Sequence, residues 1–280
     1  MRSDLTIDYY MRIKLALMRP GNEADRHRLE HEAHHLHALA LSDALHIYAG
    51  RILAISQAVS SRDAASFLRY GSVQRLMMIY HALKRVLDLV PDDRERPLNT
   101  DETRQLAVDL NAIYINLKGT LDNFAWSILH EKSPGTVSGI NPAQVHIFSR
   151  TVLSGVDEEK KTQIFTHNDW DIQMRSRRNP SAHQIPLSVP PSVQTPEEGR
   201  EYWRLHAEGM AAINAGSFAE ADQKFRDMEG IGTFVACFTH HPDQGTMPIF
   251  PTVSADIFHL LGITDTVLDI LQPRGEAPEA

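Results

Sequence analysis

Cysteine occurs once in 280 residues, as Cys237, so neither a disulfide framework nor a cysteine-built zinc site is available, and a reducing compartment fits. Positive charge is in deficit: 28 Lys and Arg stand against 36 Asp and Glu, a net charge of -8. General attraction to a nucleic-acid backbone rests on the opposite balance, so any polyanion must be met by a local patch. No apolar run approaches the length of a membrane span, and the opening MRSDLTIDYYMRIK lacks the apolar core of a secretory signal. These absences lead to the expectation of a cytoplasmic chain with no membrane partner. Strand-like runs are scarce as well. Only 233–238 and 247–253 qualify, as a small hairpin, and His240, His241 and Asp243 between them read as a polar turn rather than a metal site.

Helical periodicity fills the rest. Leu29, Ala33, Leu36, Ala40 and Ile47 define one stripe in the opening third, which places His27, His31, His34 and His35 on the water side. Residues 31–35 contain H-E-x-x-H, the spacing that sets two zinc ligands on one helical turn with a glutamate as base. A solvated face is the plainer reading, with a zinc hydrolase on His31, Glu32 and His35 as the minor alternative. A second helix spans 63–90, PDDRERPLNT follows as a linker or a connection between packed helices, and Thr100 reads as an N-cap before Asp101 and Glu102. Leu106, Leu110, Ile113, Leu117, Leu121, Phe124 and Ile128 then form the stripe of a central core helix. Its other side, Ala112, Asn116, Gly119, Asn123 and Ser127, is small or polar. Gly119 costs about 1 kcal/mol relative to alanine, which predicts that another backbone packs closely there.

Further along, a short helix is expected over 143–153 and an amphipathic piece from 157 past Trp170, where Lys160 and Lys161 extend the basic edge or simply solvate it. Capping boxes at Thr195–Glu198 and Ser217–Glu220 start two helices, a hairpin resembling half of a tetratricopeptide repeat. A last helix covers 255–271, and the tail 273–280 is expected to be disordered.

One stretch combines chemistry with spacing: Arg178-Asn179-Pro180-Ser181-Ala182-His183, preceded by Arg175 and Arg177. Guanidinium groups present fixed charge and a donor fork shaped for phosphate, while histidine takes and gives a proton near neutrality. Five positions apart on a helix, Arg178 and His183 point about 140° apart. Asn179 as N-cap and Pro180 as first helical residue predict a break that leaves Arg178 in the preceding loop, free to reach back, with Pro186 ending the segment. The plain alternative is a surface turn with a basic edge.

This R-N-x-x-x-H arrangement resembles the signature of HEPN domains. The run Ala182-His183-Gln184-Ile185-Pro186-Leu187-Ser188-Val189-Pro190-Pro191 and the stretch Lys118-Gly119-Thr120-Leu121-Asp122-Asn123-Phe124-Ala125-Trp126 resemble one HEPN-like branch. Together they cover about 111–191; residues 1–62 resemble nothing. The resemblance implies a mostly all-α, HEPN-like helical bundle over 63–230, with an N-terminal helical extension (1–62), a C-terminal hairpin and helix (231–272), and the tail. It implies an endoribonuclease using no metal or other cofactor, of toxin or antiviral-defence type. His183 would take the proton of the RNA 2′-hydroxyl and Arg178 would hold the charge on the phosphoryl oxygens. Asn179 would position Arg178, with Arg175 and Arg177 in support; Arg177 also fits a looser form of the motif. Two subunits would pair around a shared cleft, so Asn116 and Asn123 become candidate polar contacts at a homodimer interface or active site, with an antitoxin or regulatory protein as a further partner. The competing reading is a non-catalytic helical module that dimerises or binds a nucleotide or RNA.

Overall fold

A computed structural model describes residues 23–183, 185–240 and 245–272, the side chains of 23–29 and 181–183 excepted. His27, His241, Asp243 and the 273–280 tail fall outside this description. Within it the chain runs α1 (Glu23–Ala58), α2 (Arg62–Ser66), a π-helical turn (Phe67–Ser72), α3 (Val73–Leu89), α4 (Thr100–Lys132), two short 3-10 turns (Pro134–Gly139 and Pro142–Gln144), α5 (Glu158–Phe165), α6 (Asn168–His183), α7 (Pro196–Asn214), α8 (Phe218–Glu229), β1 (Cys237–Phe238), β2 (Met247–Pro248) and α9 (Ile249–Leu271). The fold is mostly all-α, with β1 and β2 pairing antiparallel as the one small sheet among the described residues.

The central helix is α4. Every residue of its expected stripe is fully buried, because seven apolar side chains at helical spacing have no other way to leave water together. Its cap is Asn99, one residue before the expected Thr100. The Asn99 side chain accepts from the Glu102 N–H and the Glu102 carboxylate accepts from the Asn99 N–H, both at 2.9 Å. Glu102 also receives Arg94 at 2.7 Å and Arg96 at 2.5 Å, and Arg94 donates to the Leu89 carbonyl, so residues 91–99 form a fixed connection rather than a linker.

Around α4 pack α2, the π-helical turn, α3, α6 and α9, while α1 packs on α3 and α9. Helix α9 begins at Ile249, six residues before the expected start. Pro251 lies in its first turn, where no intrahelical N–H is lost. Phe250, Val253, Ile257, Leu260, Ile263 and Val267 are buried around most of its circumference, which makes it a core element. In α1 the buried stripe is Ala38, Leu41, Leu45, Ala49 and Ile52, and Ile47 is 61 % exposed, against expectation. Apolar residues encircle this helix, so two overlapping stripes compete and tertiary packing selects one. Among the described residues, 30–58 is also the one helix long and apolar enough by composition to cross a membrane, a length the sequence reading missed; here one face packs on α3 and α9.

The helix expected over 143–153 does not form. Asn141 caps a 3-10 turn that closes at Gln144, and bends then carry Val145, Ile147, Phe148, Val152 and Leu153 inward. The Thr195 capping box is made, with bonds of 3.2 and 2.7 Å. The Ser217 box is not, because the Ser217 N–H closes the end of α7 on the Ala212 carbonyl while Gly216 takes φ +76°, a Schellman ending.

Candidate catalytic site

Helix α6 continues through Pro180 to His183. Asn179 is therefore not an N-cap, and Arg178 is not in a loop. Proline costs an interior helix about 3 kcal/mol, but Pro180 lies in the last turn, and the helix before it is anchored strongly enough to hold its course. Trp170 and Met174 are buried in the core. Arg175 closes on Asp171 one turn earlier, with Nε at 2.6 Å from Oδ2. Arg177 reaches Asp256 on α9, with Nη2 at 2.5 Å from Oδ1, and lies 5.8 Å above the Tyr114 ring of α4. Both aspartates are about 1 % exposed, so two of the three guanidinium groups neutralise buried carboxylates.

Arg178 is half-buried and donates to the Asn179 carboxamide at 3.2 Å. The His183 backbone ends the helix; its side chain, with those of Ser181 and Ala182, lies outside the described residues, as does Gln184. On this unbroken helix Arg178 and His183 are about 7.5 Å apart along the axis and about 140° apart around it. The chain leaving α6 is tied down in turn. The Asn111 carboxamide donates to the Leu187 carbonyl and accepts from the Leu187 N–H, each at 3.0 Å, and Ser188 pairs with Thr239. The buried His240 ring places Nδ1 3.3 Å from the Ile185 carbonyl.

Three groups here escaped the sequence reading. Asn111 lies on α4 among apolar residues, and only its partner 76 residues away shows its role. His146, from the turn-rich segment, faces Arg175, Lys118, Asp171 and Asp122; burial lowers its pKa first, then the positive charges of Arg175 and Lys118. Tyr114 is fully buried beneath Arg177, and burial followed by the charge of Asp256 holds its phenol proton well above the usual range. For the Asp171–Arg175 pair, the four-residue spacing on one helix was the available signal.

Asn116 and Asn123 are not brought to this site. They point away from Tyr114, roughly the far side of α4, toward the π-helical turn and α3. Asn116 accepts from Arg75 at 3.1 Å, and Asn123 packs against Gly71. The nearest neighbour of Gly119 is not the expected backbone but the Arg75 guanidinium, which occupies the space a Cβ would need.

His34 is exposed as expected, but two other histidines of α1 differ from expectation. His31 and His35 are half-buried and meet the Phe250 ring edge-on, with centroids 6.1 and 5.2 Å away, because α9 covers the face assigned to water. Burial, then His35, lowers the pKa of His31. His31 and Glu32 line a cavity of about 740 Å³ with Asp92, Asp93, Arg94 and Phe234. Among the described residues no three His, Cys, Asp or Glu side chains are grouped to hold a metal ion. Compared with protein-family models, with curated proteins and with solved structures, the chain shows no match.

Proposed function

We propose that the C-terminal end of α6 is the catalytic site of a HEPN-like endoribonuclease. The observation that carries this reading is that Arg178 to His183 lie between two anchored flanks, held by Asp171 and Asp256 before the motif and by Asn111 after it. Catalytic side chains act best from elements whose position is fixed, and an ordinary surface turn needs no such anchoring. His183 takes the proton of a 2′-hydroxyl, the oxygen attacks the adjacent phosphorus, and the 5′-oxygen leaves. Arg178 holds the charge that builds on the phosphoryl oxygens. Because the two positions lie on different faces of one helix, a two-fold pair of chains completes the centre, with Arg178 of one copy meeting His183 of the other. Arg175 and Arg177 act as anchors in this scheme. Asn179 holds the Arg178 guanidinium, and an antitoxin or similar regulatory protein would act by covering the helix end.

The test is cleavage of end-labelled RNA by the wild-type chain and by His183→Ala. Products ending in 2′,3′-cyclic phosphate and 5′-hydroxyl, lost in the variant, support the reading; 5′-phosphate ends, or cleavage unchanged by the substitution, overturn it. A non-catalytic RNA-binding module is the second reading. It is favoured by the commitment of Arg175 and Arg177 to buried aspartates, and it predicts binding without cleavage in the wild type.

A further inference from the structure

The helix from Arg62 to Leu89 is interrupted by the π-helical turn Phe67–Ser72. Such turns are rare and frequently occur at functional sites. This one faces the small, polar side of α4, and two glycines clear the junction. A Cβ on Gly71 would meet the Asn123 carboxamide at 2.6 Å, and one on Gly119 would collide with the Arg75 guanidinium. The space that small residues leave between these helices is thus given to two polar side chains.

Arg75 lies across α4 and donates to Asn116 Oδ1, while Asn116 is only 7 % exposed and is fixed from behind by its own bond to the Ala112 carbonyl at 2.8 Å. Among the described residues no carboxylate pairs with Arg75, whose guanidinium donates to Asn116. The Asn123 Nδ2 is buried and has no acceptor. A pocket of about 440 Å³ opens over these groups, walled by Phe67 and Tyr70 and edged by Met78. Phe67 is backed by Trp126, ring centroids 5.6 Å apart and nearly parallel, whereas Tyr70 and Met78 are 70 % and 54 % exposed.

We propose that this pocket binds a nucleotide, with its phosphate on Arg75 and its base against Phe67 and Tyr70. A guanidinium without a carboxylate partner fits phosphate, and aromatic faces accept any base. The volume lies within the usual range for small-molecule sites, about 300–1,000 Å³. In a chain of net charge -8, Arg75 supplies the local attraction that the whole surface does not. The site faces away from the α6 arginines and stands whether or not α6 cleaves RNA. A free mononucleotide and one residue of an RNA strand present the same chemistry.

The experiment is calorimetric titration of the full chain with adenosine 5′-monophosphate, adenosine and a five-residue oligoadenylate. At least one phosphate-bearing probe should bind, with adenosine weaker by roughly tenfold or more. Arg75→Gln should weaken the phosphate-bearing probe by roughly tenfold, and Tyr70→Ala, a change at an exposed side chain, by several-fold. Equal affinity for monophosphate and oligomer identifies a free nucleotide as the ligand; an oligomer roughly tenfold tighter identifies a strand. The proposal is overturned if neither probe binds, if adenosine matches the monophosphate, or if both variants bind as the wild type does. Loss of a dimer in Tyr70→Ala, with no nucleotide bound by the wild type, would also overturn it and make this face a protein interface.

Discussion

Arg177 reaches from α6 to α9 and closes on Asp256 at 2.5 Å, joining two helices 79 residues apart in sequence. The carboxylate also accepts from Trp170 Nε1 at 2.8 Å. Arg177→Ala leaves a buried charge without its counter-ion, and such losses cost about 3–5 kcal/mol. Replacing both members, Arg177→Met with Asp256→Leu, should cost much less than the two single changes added together. Urea unfolding of the three variants measures this, and additive losses would refute the coupling.

Acid should unfold the protein in two stages. Burial lowers the pKa of His31, His34, His37, His146, His167 and His259, so the folded state holds protons on these rings less readily than the unfolded chain does. Their contribution is whole above about pH 6.5 and is lost as pH falls from there through the folded values. Burial works against Glu102, yet its bonds with Arg94, the Asn99 N–H and Arg96 outweigh it and hold the carboxyl below its usual range. That contribution is present above about pH 4.3 and disappears as pH falls through the lowered value. His167→Gln should flatten the first stage and Glu102→Gln the second, as read by the urea midpoint against pH.

On the proposed chemistry, His183→Ala and Arg178→Ala should each reduce RNA cleavage by about 10²–10⁴-fold. Arg175→Lys, which preserves the pairing with Asp171, should reduce it only slightly. Cleavage should survive chelation of divalent metal, because an imidazole and a guanidinium carry the proton and charge roles. Activity abolished by EDTA and restored by zinc would sink this scheme and return attention to His31, Glu32 and His35.

Gly119→Ala separates folding from binding. Alanine favours the helix by about 1 kcal/mol, and the new Cβ meets the movable end of Arg75 rather than backbone. The melting temperature should hold or rise while nucleotide affinity falls. A variant that binds as tightly as the wild type would show that Arg75 need not rest on α4.

The α4 stripe was legible because each of its positions is buried by the same local rule. Hidden from that rule was everything set by a distant partner. Pro180 carries strong local information, and its normal meaning would start a helix at Asn179. The bonds to Asp171 and Asp256, with Trp170 and Met174 in the core, outweigh it. Gly119 announced a close approach, but only the fold shows that the visitor is Arg75. In α1 the sequence offered two overlapping apolar stripes, and packing against α3 and α9 chose between them.

The α7–α8 hairpin packs mainly on itself. Leu205, Ala212 and Ala221 are buried within it, apart from the main apolar cluster, and Gly209 lies beneath the Phe225 ring. Its ties to the bundle include the Thr100–Glu229 bond and the Leu98 N–H to the Pro191 carbonyl, while the Val193–Thr233 bridge closes its own base. Such a unit opens without melting what it stands on. Its amides should exchange with deuterated solvent at a common, faster rate than those of α4 and α9, giving two tiers of protection within one chain.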